Sequence, residues 1–372
     1  MNTNNDPSLN TQQILDSLND GVYVVDRDRA IIYWGKAAEK ITGWQANDII
    51  GKRCYDDILC HTDKDGHRLC GEEYCPLHRA MITNQSSTTP IIVFAQSNDG
   101  RQIPMEVSVA PVRNNSGEVI GGVETFRDLS SQFHDVQRAQ KIQLLSLPQE
   151  LPGDERIRFS THYIPHDVIG GDYYAVAKIN SDSYGFILAD VTGHGVPAAL
   201  YTMYLNSLWE ENYHLISSPT VFAETVNEKL RHLIGEDTPF AAGICGIFDL
   251  KNNKLRLSSA GNPPPFLIHS DGKYTQPDCR GLPLGCMEGA TYDEITMDID
   301  SGDCLLFFTD GAIEIKNAND KYLQMDGLMA ILKRVGYPKS GQGFKAIEEQ
   351  MLKYSDRIRF DDDLTFLEVS IY

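Results

Sequence analysis

Residues 21–34 read GVYVVDRDRAIIYW, two β-branched and aromatic runs separated by the polar stretch 26–29, which is the pattern of a hairpin. A helical rhythm follows over 36–41 and closes at Gly43. Beyond a cysteine-bearing segment, 75–82 reads as a helix, and strand-like runs occupy 90–96, 103–112 and 119–127. Asn98-Asp99-Gly100 and Asn114-Asn115-Ser116-Gly117 separate those runs and accept positive φ, so the three should form a hairpin meander. Met105, Val107 and Val109 alternate with Glu106 and Ser108, so one face is buried. The pattern predicts an antiparallel sheet with helices on one face.

Residues 131–147 contain no Gly and no Pro, and two apolar stripes run along them. Phe133, Val136, Gln140, Leu144 and Leu147 fall on one, and Ala139, Ile142 and Leu145 on the other. Two stripes predict two partners: a second copy of the helix on the first, with Gln140 fixing register, and the downstream domain on the second. The plainer alternative is a helix packed on its own domain. Pro148, Pro152 and Gly153 mark a boundary.

Past residue 155 the aspartates sit where strands end, most of them beside glycine. GGDYY carries Asp172, FILADVTGHG carries Asp190, LLFFTDG carries Asp310, and RFDDDLTFLEV carries Asp361, Asp362 and Asp363. Any one reads as an Asx turn or a helix cap. Together they predict a hard oxygen-donor site suited to Mg²⁺ or Mn²⁺. Two such ions about 4 Å apart activate water and neutralise a phosphoryl transition state, so the chemistry expected is hydrolysis of a phosphate ester.

Length and charge narrow this further. At roughly 150 residues per domain, 372 residues predict two domains. The formal charge of −19 repels phosphate backbones and anionic membranes, so neither nucleic acid nor membrane is an expected partner. No apolar run approaches the roughly 18 residues of a membrane span. Residues 1–13 are polar and lack a leader pattern; a cytoplasmic location is expected.

GVYVVD, Thr42-Gly43-Trp44, the IIGK of 49–52, NDGRQIPMEV and FRDLS resemble, in that order, a PAS sensor domain over 10–130. The resemblance implies that the last strand passes its state to the following helix, with Asp128 at the exit. GGDYY, ADVTGHGVPAAL, AGNPPPF, GLPLG, FFTDGAIE and DDLTFLEV resemble the SpoIIE-like branch of the metal-dependent protein phosphatases, the PPM family, over 155–372. That resemblance implies an α/β/β/α sandwich acting on phosphoserine or phosphothreonine in a protein. It also implies that Asp172 bridges two Mn²⁺ or Mg²⁺ ions, Asp190 and the Val191 carbonyl ligate one, and Asp310 and Asp362 the other. Matching DxxT favours Asp362, with Asp363 as fallback.

Some residues depart from the family pattern. No arginine stands where relatives outside this branch hold the phosphate, Arg156 and Arg158 being only nearby; His166 follows Tyr163-Ile164-Pro165 where Ala is common, and Asn262 replaces a common His. His194 is either a general acid or a loop-shaping residue.

Of eight cysteines, Cys54, Cys60, Cys70 and Cys75 cluster with His61, His67 and His78. The spacing is not the paired CxxC of structural zinc. It leaves open buried thiols, a metal or iron–sulfur centre, or a reversible thiol switch. A reactive flavin-site cysteine at Cys54 lacks the neighbouring Asn and Gln.

The expected molecule is α+β: a PAS sensor (10–130), a linker helix (131–150) and a PPM-type phosphatase (155–372). It should be a cytoplasmic sensory serine/threonine phosphatase, homodimeric through 131–147. Its substrate, by branch resemblance, is a phosphorylated anti-sigma-factor antagonist. A non-catalytic scaffold is the rival reading; a cyclase or kinase lacks any nucleotide-binding signature.

Overall fold

Two units divide the chain, Met1–Asp135 and Val136–Tyr372. The computed structural model describes residues 11–63, 66–71, 74–87, 90–193, 195–234, 239–338, 343–356 and 360–372.

The first unit contains α1 (Thr11–Asp16), β1 (Gly21–Asp26), β2 (Ile31–Trp34), α2 (Lys36–Thr42), α3 (Ala46–Ile49), α4 (Pro76–Thr83), β3 (Ile91–Gln96), β4 (Gln102–Arg113) and β5 (Val119–Asp128). Its sheet is antiparallel in the order β2-β1-β5-β4-β3. The period-2 pattern sets the buried face: Val93, Ala95, Met105, Val107, Val109 and Phe126 pack with Ala38, Ile49, Leu77 and Ala80 of the helices. α4 lies so close that a Cβ on Gly122 would fall 2.7 Å from Leu77.

α5 (Ser130–Ser146) follows, its first turn held by Asp128, whose carboxylate accepts the Ser130 N–H at 2.7 Å. Phe133 meets Phe94 edge-on with ring centroids 5.7 Å apart. The helix departs from the expected division of its stripes. Leu147, just beyond α5 and expected to meet a partner helix, lies in the core of the second unit. Ile142 and Leu145, expected to dock on that unit, are 55% and 76% exposed. The residue that docks is Gln143, 2% exposed, because its amide finds polar partners that no apolar stripe includes.

The second unit contains β6 (Ile157–Ile164), β7 (Asp172–Asn180), β8 (Ser183–Val191), α6 (Val196–Asn212), α7 (Pro219–Ile234), β9 (Ala241–Asp249), β10 (Lys254–Ala260), β11 (Phe266–Ile268), β12 (Tyr274–Thr275), β13 (Ile295–Asp298), β14 (Cys304–Phe308), α8 (Gln324–Val335), α9 (Gly343–Ser355) and β15 (Leu364–Ile371). Two five-stranded antiparallel sheets form, β13-β10-β9-β8-β7 and β12-β11-β14-β15-β6. β14 shows how they stack. Leu305 and Phe307 point into the core shared with the first sheet, while Cys304, Leu306 and Phe308 point to the core beneath α8 and α9. Phe307 meets Phe186 across the sheets at 4.6 Å; truncation of so buried an aromatic costs about 3–5 kcal/mol. With α6 and α7 packed on the first sheet, the layers are helix, sheet, sheet, helix, the expected sandwich. Among the described residues no helix is long and apolar enough to cross a membrane.

Candidate active site

Asp172 opens β7 and lies directly opposite Asp190 near the end of β8, so pairing register alone sets two carboxylates side by side. Asp310 starts the short turn after β14. β15 begins just after Asp362 and Asp363, and the two segments are forced together at Gly311, where a Cβ would lie 1.9 Å from the Asp363 carbonyl oxygen. Only glycine permits that approach.

Asp172 is fully buried. Its Oδ2 accepts hydrogen bonds from Thr309 Oγ1 at 2.9 Å and Thr365 Oγ1 at 2.5 Å, while Oδ1 is buried without a partner. The Asp310 Oδ1 is also buried and unpartnered. Burial pushes the Asp172 carboxyl well up, Asp363 and Asp310 add to this, and the threonine hydroxyls oppose it. Asp190 is pushed up to about 10 by burial, then by Asp172 and Asp310. Asp362, exposed at the rim, is raised by burial of its carboxyl and then by its acidic neighbours, against a backbone N–H that favours ionisation. Ionisation of Asp172, Asp362 and Asp363 is favoured by hydroxyls, backbone N–H groups and His166.

Such a set cannot all ionise without a cation. Among the described residues no three donors are gathered around a common point. The donor chemistry fits hard divalent ions: the donors are carboxylate and carbonyl oxygens, two buried oxygens lack partners, and a Cβ on Gly171 would stand 2.8 Å from the Val191 carbonyl oxygen.

The adjacent aspartates part company. Asp363 is 4% exposed, and its carboxylate accepts the backbone N–H of His166 at 2.6 Å and that of Gly171. It clamps the loop before Asp172, which leaves Asp362 as the one facing outward. The His166 ring engages the Phe360 carbonyl at 2.8 Å. Asn262 is buried and donates to the Phe308 carbonyl at 3.0 Å, tying down the strand that delivers Asp310. Arg156 pairs with Asp154 and Asp182 and Arg158 lies over the Tyr372 ring, so each is engaged away from Asp172, Asp190, Asp310 and Asp362. His194 lies outside the described residues.

Three contributors escaped the sequence reading. Thr309 and Thr365 sit inside quoted motifs, and that position was the only signal. Gln143 donates to the Gly170 carbonyl at 2.6 Å and to Thr202 Oγ1 at 2.9 Å, holding the loop that leads to Asp172 from the other side.

In the sensor, Cys54 and Cys75 are buried, while Cys60 and Cys70 are partly so. Burial raises all four thiols, Cys70 to about 12. Burial thus disfavours the thiolate form of these residues in the cation-free sensor.

A family model described as Stage II sporulation protein E (SpoIIE) matches residues 180–372, and a PAS fold model matches 9–129. The first begins after Asp172, which the threonine bonds nonetheless tie to the matched segment. Phosphoserine phosphatase RsbU of Bacillus subtilis is 22% identical over 309 residues, 81% of this chain and 87% of that protein. Phosphoserine phosphatase RsbP of the same organism is 25% identical over 183 residues, 48% of this chain and 45% of that protein. Among solved structures, the SiaA-PP2C domain of Pseudomonas aeruginosa aligns with a TM-score of 0.57 at 18% identity, covering 66% of this chain and 100% of that one. The RsbU and RsbW domains of Rv1364c from Mycobacterium tuberculosis align at 0.52 with 20% identity, covering 61% and 63%.

Proposed function

From the premise that this chain belongs to the SpoIIE family and is a PAS-coupled protein serine/threonine phosphatase, we propose how its site works and on what. Asp172, Asp190, the Val191 carbonyl, Asp310 and Asp362 would hold two Mn²⁺ or Mg²⁺ ions. The observation that carries this is the pair of buried, partnerless oxygens on Asp172 and Asp310. When bound, the cations supply charge neutralisation at the phosphoryl group and a water of lowered pKa. The protein's part is positional. Thr309 and Thr365 fix the Asp172 carboxylate, Asp363 and Gln143 fix the loop before it, and the exposed rim at Asp362 leaves room for a phosphoserine on a folded partner.

The substrate is a phosphorylated regulatory protein, an anti-sigma-factor antagonist; the resemblance to the phosphoserine phosphatases RsbU and RsbP supports the phosphoserine. The chain works in the cytoplasm, without nucleic acid or membrane, as a homodimer through 131–147. The exposed Ile142, Leu144 and Leu145 support that face.

The test is dephosphorylation of a phosphoserine-bearing protein by the full chain after chelation. No turnover is expected until Mn²⁺ or Mg²⁺ is restored, and Asp172→Asn and Asp310→Asn should each lower it by orders of magnitude with the fold intact. Full turnover in excess chelator overturns the two-cation reading.

A further inference from the structure

The sensor core holds two polar side chains that packing alone does not explain. Glu124 lies on the inward face of β5 between Gly122 and Phe126, 1% exposed. His61, 5% exposed, stands opposite, its Nε2 3.6 Å from Glu124 Oε1. Neither atom has a hydrogen-bond partner. An apolar core surrendering two such atoms loses their hydration and gains nothing from each other at that distance. The separation has another meaning. Two ligands about 2.0–2.2 Å from one tetrahedral ion stand about 3.4 Å apart, close to the spacing seen.

Two sulfurs lie nearby. Cys70 Sγ accepts the His61 backbone N–H at 3.1 Å, and Cys75 is the N-cap residue of α4, where the helix start opposes in part the effect of burial on its thiol. A backbone donor and a helix start oppose the burial that otherwise keeps these sulfurs neutral, so a bound cation has less to overcome. Cys70 and Cys75 both lie within electrostatic reach of Glu124. Cys60 points elsewhere, toward Asp57 Oδ1 at 3.8 Å.

We propose that the sensor core binds one divalent cation of borderline-soft character, of the Zn²⁺ or Fe²⁺ type, through His61 Nε2, Glu124 Oε1 and the Cys70 and Cys75 sulfurs. Mixed nitrogen, oxygen and sulfur donors select such ions over Mg²⁺. Among the described residues no third donor has yet closed on the His61–Glu124 pair, so the sulfurs move in as the ion binds and lose their protons to solvent. Cys70 belongs to an irregular segment rather than to a strand. Four-cysteine ligation of an iron–sulfur cluster is a worse fit, because Cys60 is turned away.

Cobalt titration of the chelated full-length chain tests this, independently of the catalytic reading. The phosphatase aspartates offer Co²⁺ only oxygen, so a thiolate-to-cobalt charge-transfer band reports the sensor alone. The band is expected at one equivalent per chain, unchanged in Cys60→Ser and lost in Cys70→Ser and Cys75→Ser, with the visible bands shifted in His61→Ala. A spectrum of oxygen-ligated cobalt only, from the unmodified chain, overturns the proposal whether or not the variants fold. Iron with inorganic sulfide in the protein as purified overturns it too.

Discussion

Gln143 donates its side-chain N–H to the carbonyl oxygen of Gly170 at 2.6 Å, and Gly170 stands two residues before Asp172. The same carboxamide engages Thr202 on α6, so one buried side chain joins α5, α6 and the loop that delivers the most deeply buried carboxylate. Asp363 holds the neighbouring Gly171 N–H. The loop is therefore suspended between a helix and a strand, and no Cβ fits at Gly170, where it would stand 2.2 Å from the Tyr163 hydroxyl.

Gln143→Leu should raise the Mn²⁺ concentration needed for half-maximal activity by about 10–100-fold, the usual cost of removing an outer support of a metal ligand. The variant keeps a buried apolar body and so should stay folded. A Mn²⁺ titration of full-length activity, with circular dichroism alongside, checks this; an unchanged midpoint would leave Gln143 as a packing residue only.

Thr365→Val and Thr309→Val each remove one hydrogen bond to Asp172 Oδ2 while preserving side-chain volume. Cation affinity should fall by about 10–100-fold, and Thr365→Ser should recover most of it because the hydroxyl returns. If serine rescues no better than valine, the methyl contact rather than the hydrogen bond was what counted.

How much of this was visible in the chain follows from what each residue touches. The clustered aspartates were legible because each lies at one end of a strand within a recognisable motif, a local signal. The PAS meander was legible because Met105, Val107 and Val109 keep strict alternation, and all three are buried. Gln143 was not: a polar residue in a helix reads as solvated, and its partner lies 27 positions away. Glu124 shares that fate for a different reason. Only its parity with Gly122 and Phe126 along β5 turns it inward, and parity is weak evidence in a strand that interleaves both faces.

Ile142 and Leu145 are the two most exposed large apolar residues of α5, at 55% and 76%, spaced three apart on one helix face. Converting both to Glu should shift the full chain from dimer to monomer at micromolar concentration in light scattering, and should leave the carboxylate site able to bind Mn²⁺. A monomeric mass for the unmodified chain would remove the dimer and leave this face as ordinary exposed surface.

The acidic cluster also sets a pH dependence for the cation-free protein. The Asp190 carboxyl is raised to about 10 in the fold from about 3.9 when exposed, so the folded state holds a proton that the unfolded state has released. Its contribution to stability is complete below about pH 4 and is lost progressively as pH rises toward 10. Asp172 is shifted the same way. In chelator, the melting temperature should therefore fall as pH is raised through neutrality, and Asp190→Asn should flatten that fall because it carries no ionisable carboxyl. Added Mn²⁺ binds the deprotonated carboxylates of the folded state only, so the rise in melting temperature it produces should grow with pH. Thermal unfolding at several pH values, with chelator and with Mn²⁺, measures both slopes. A chelated protein that becomes more stable with rising pH in this window, and loses that trend in Asp190→Asn, would mean that these carboxylates are already ionised and paired with a cation of the protein's own.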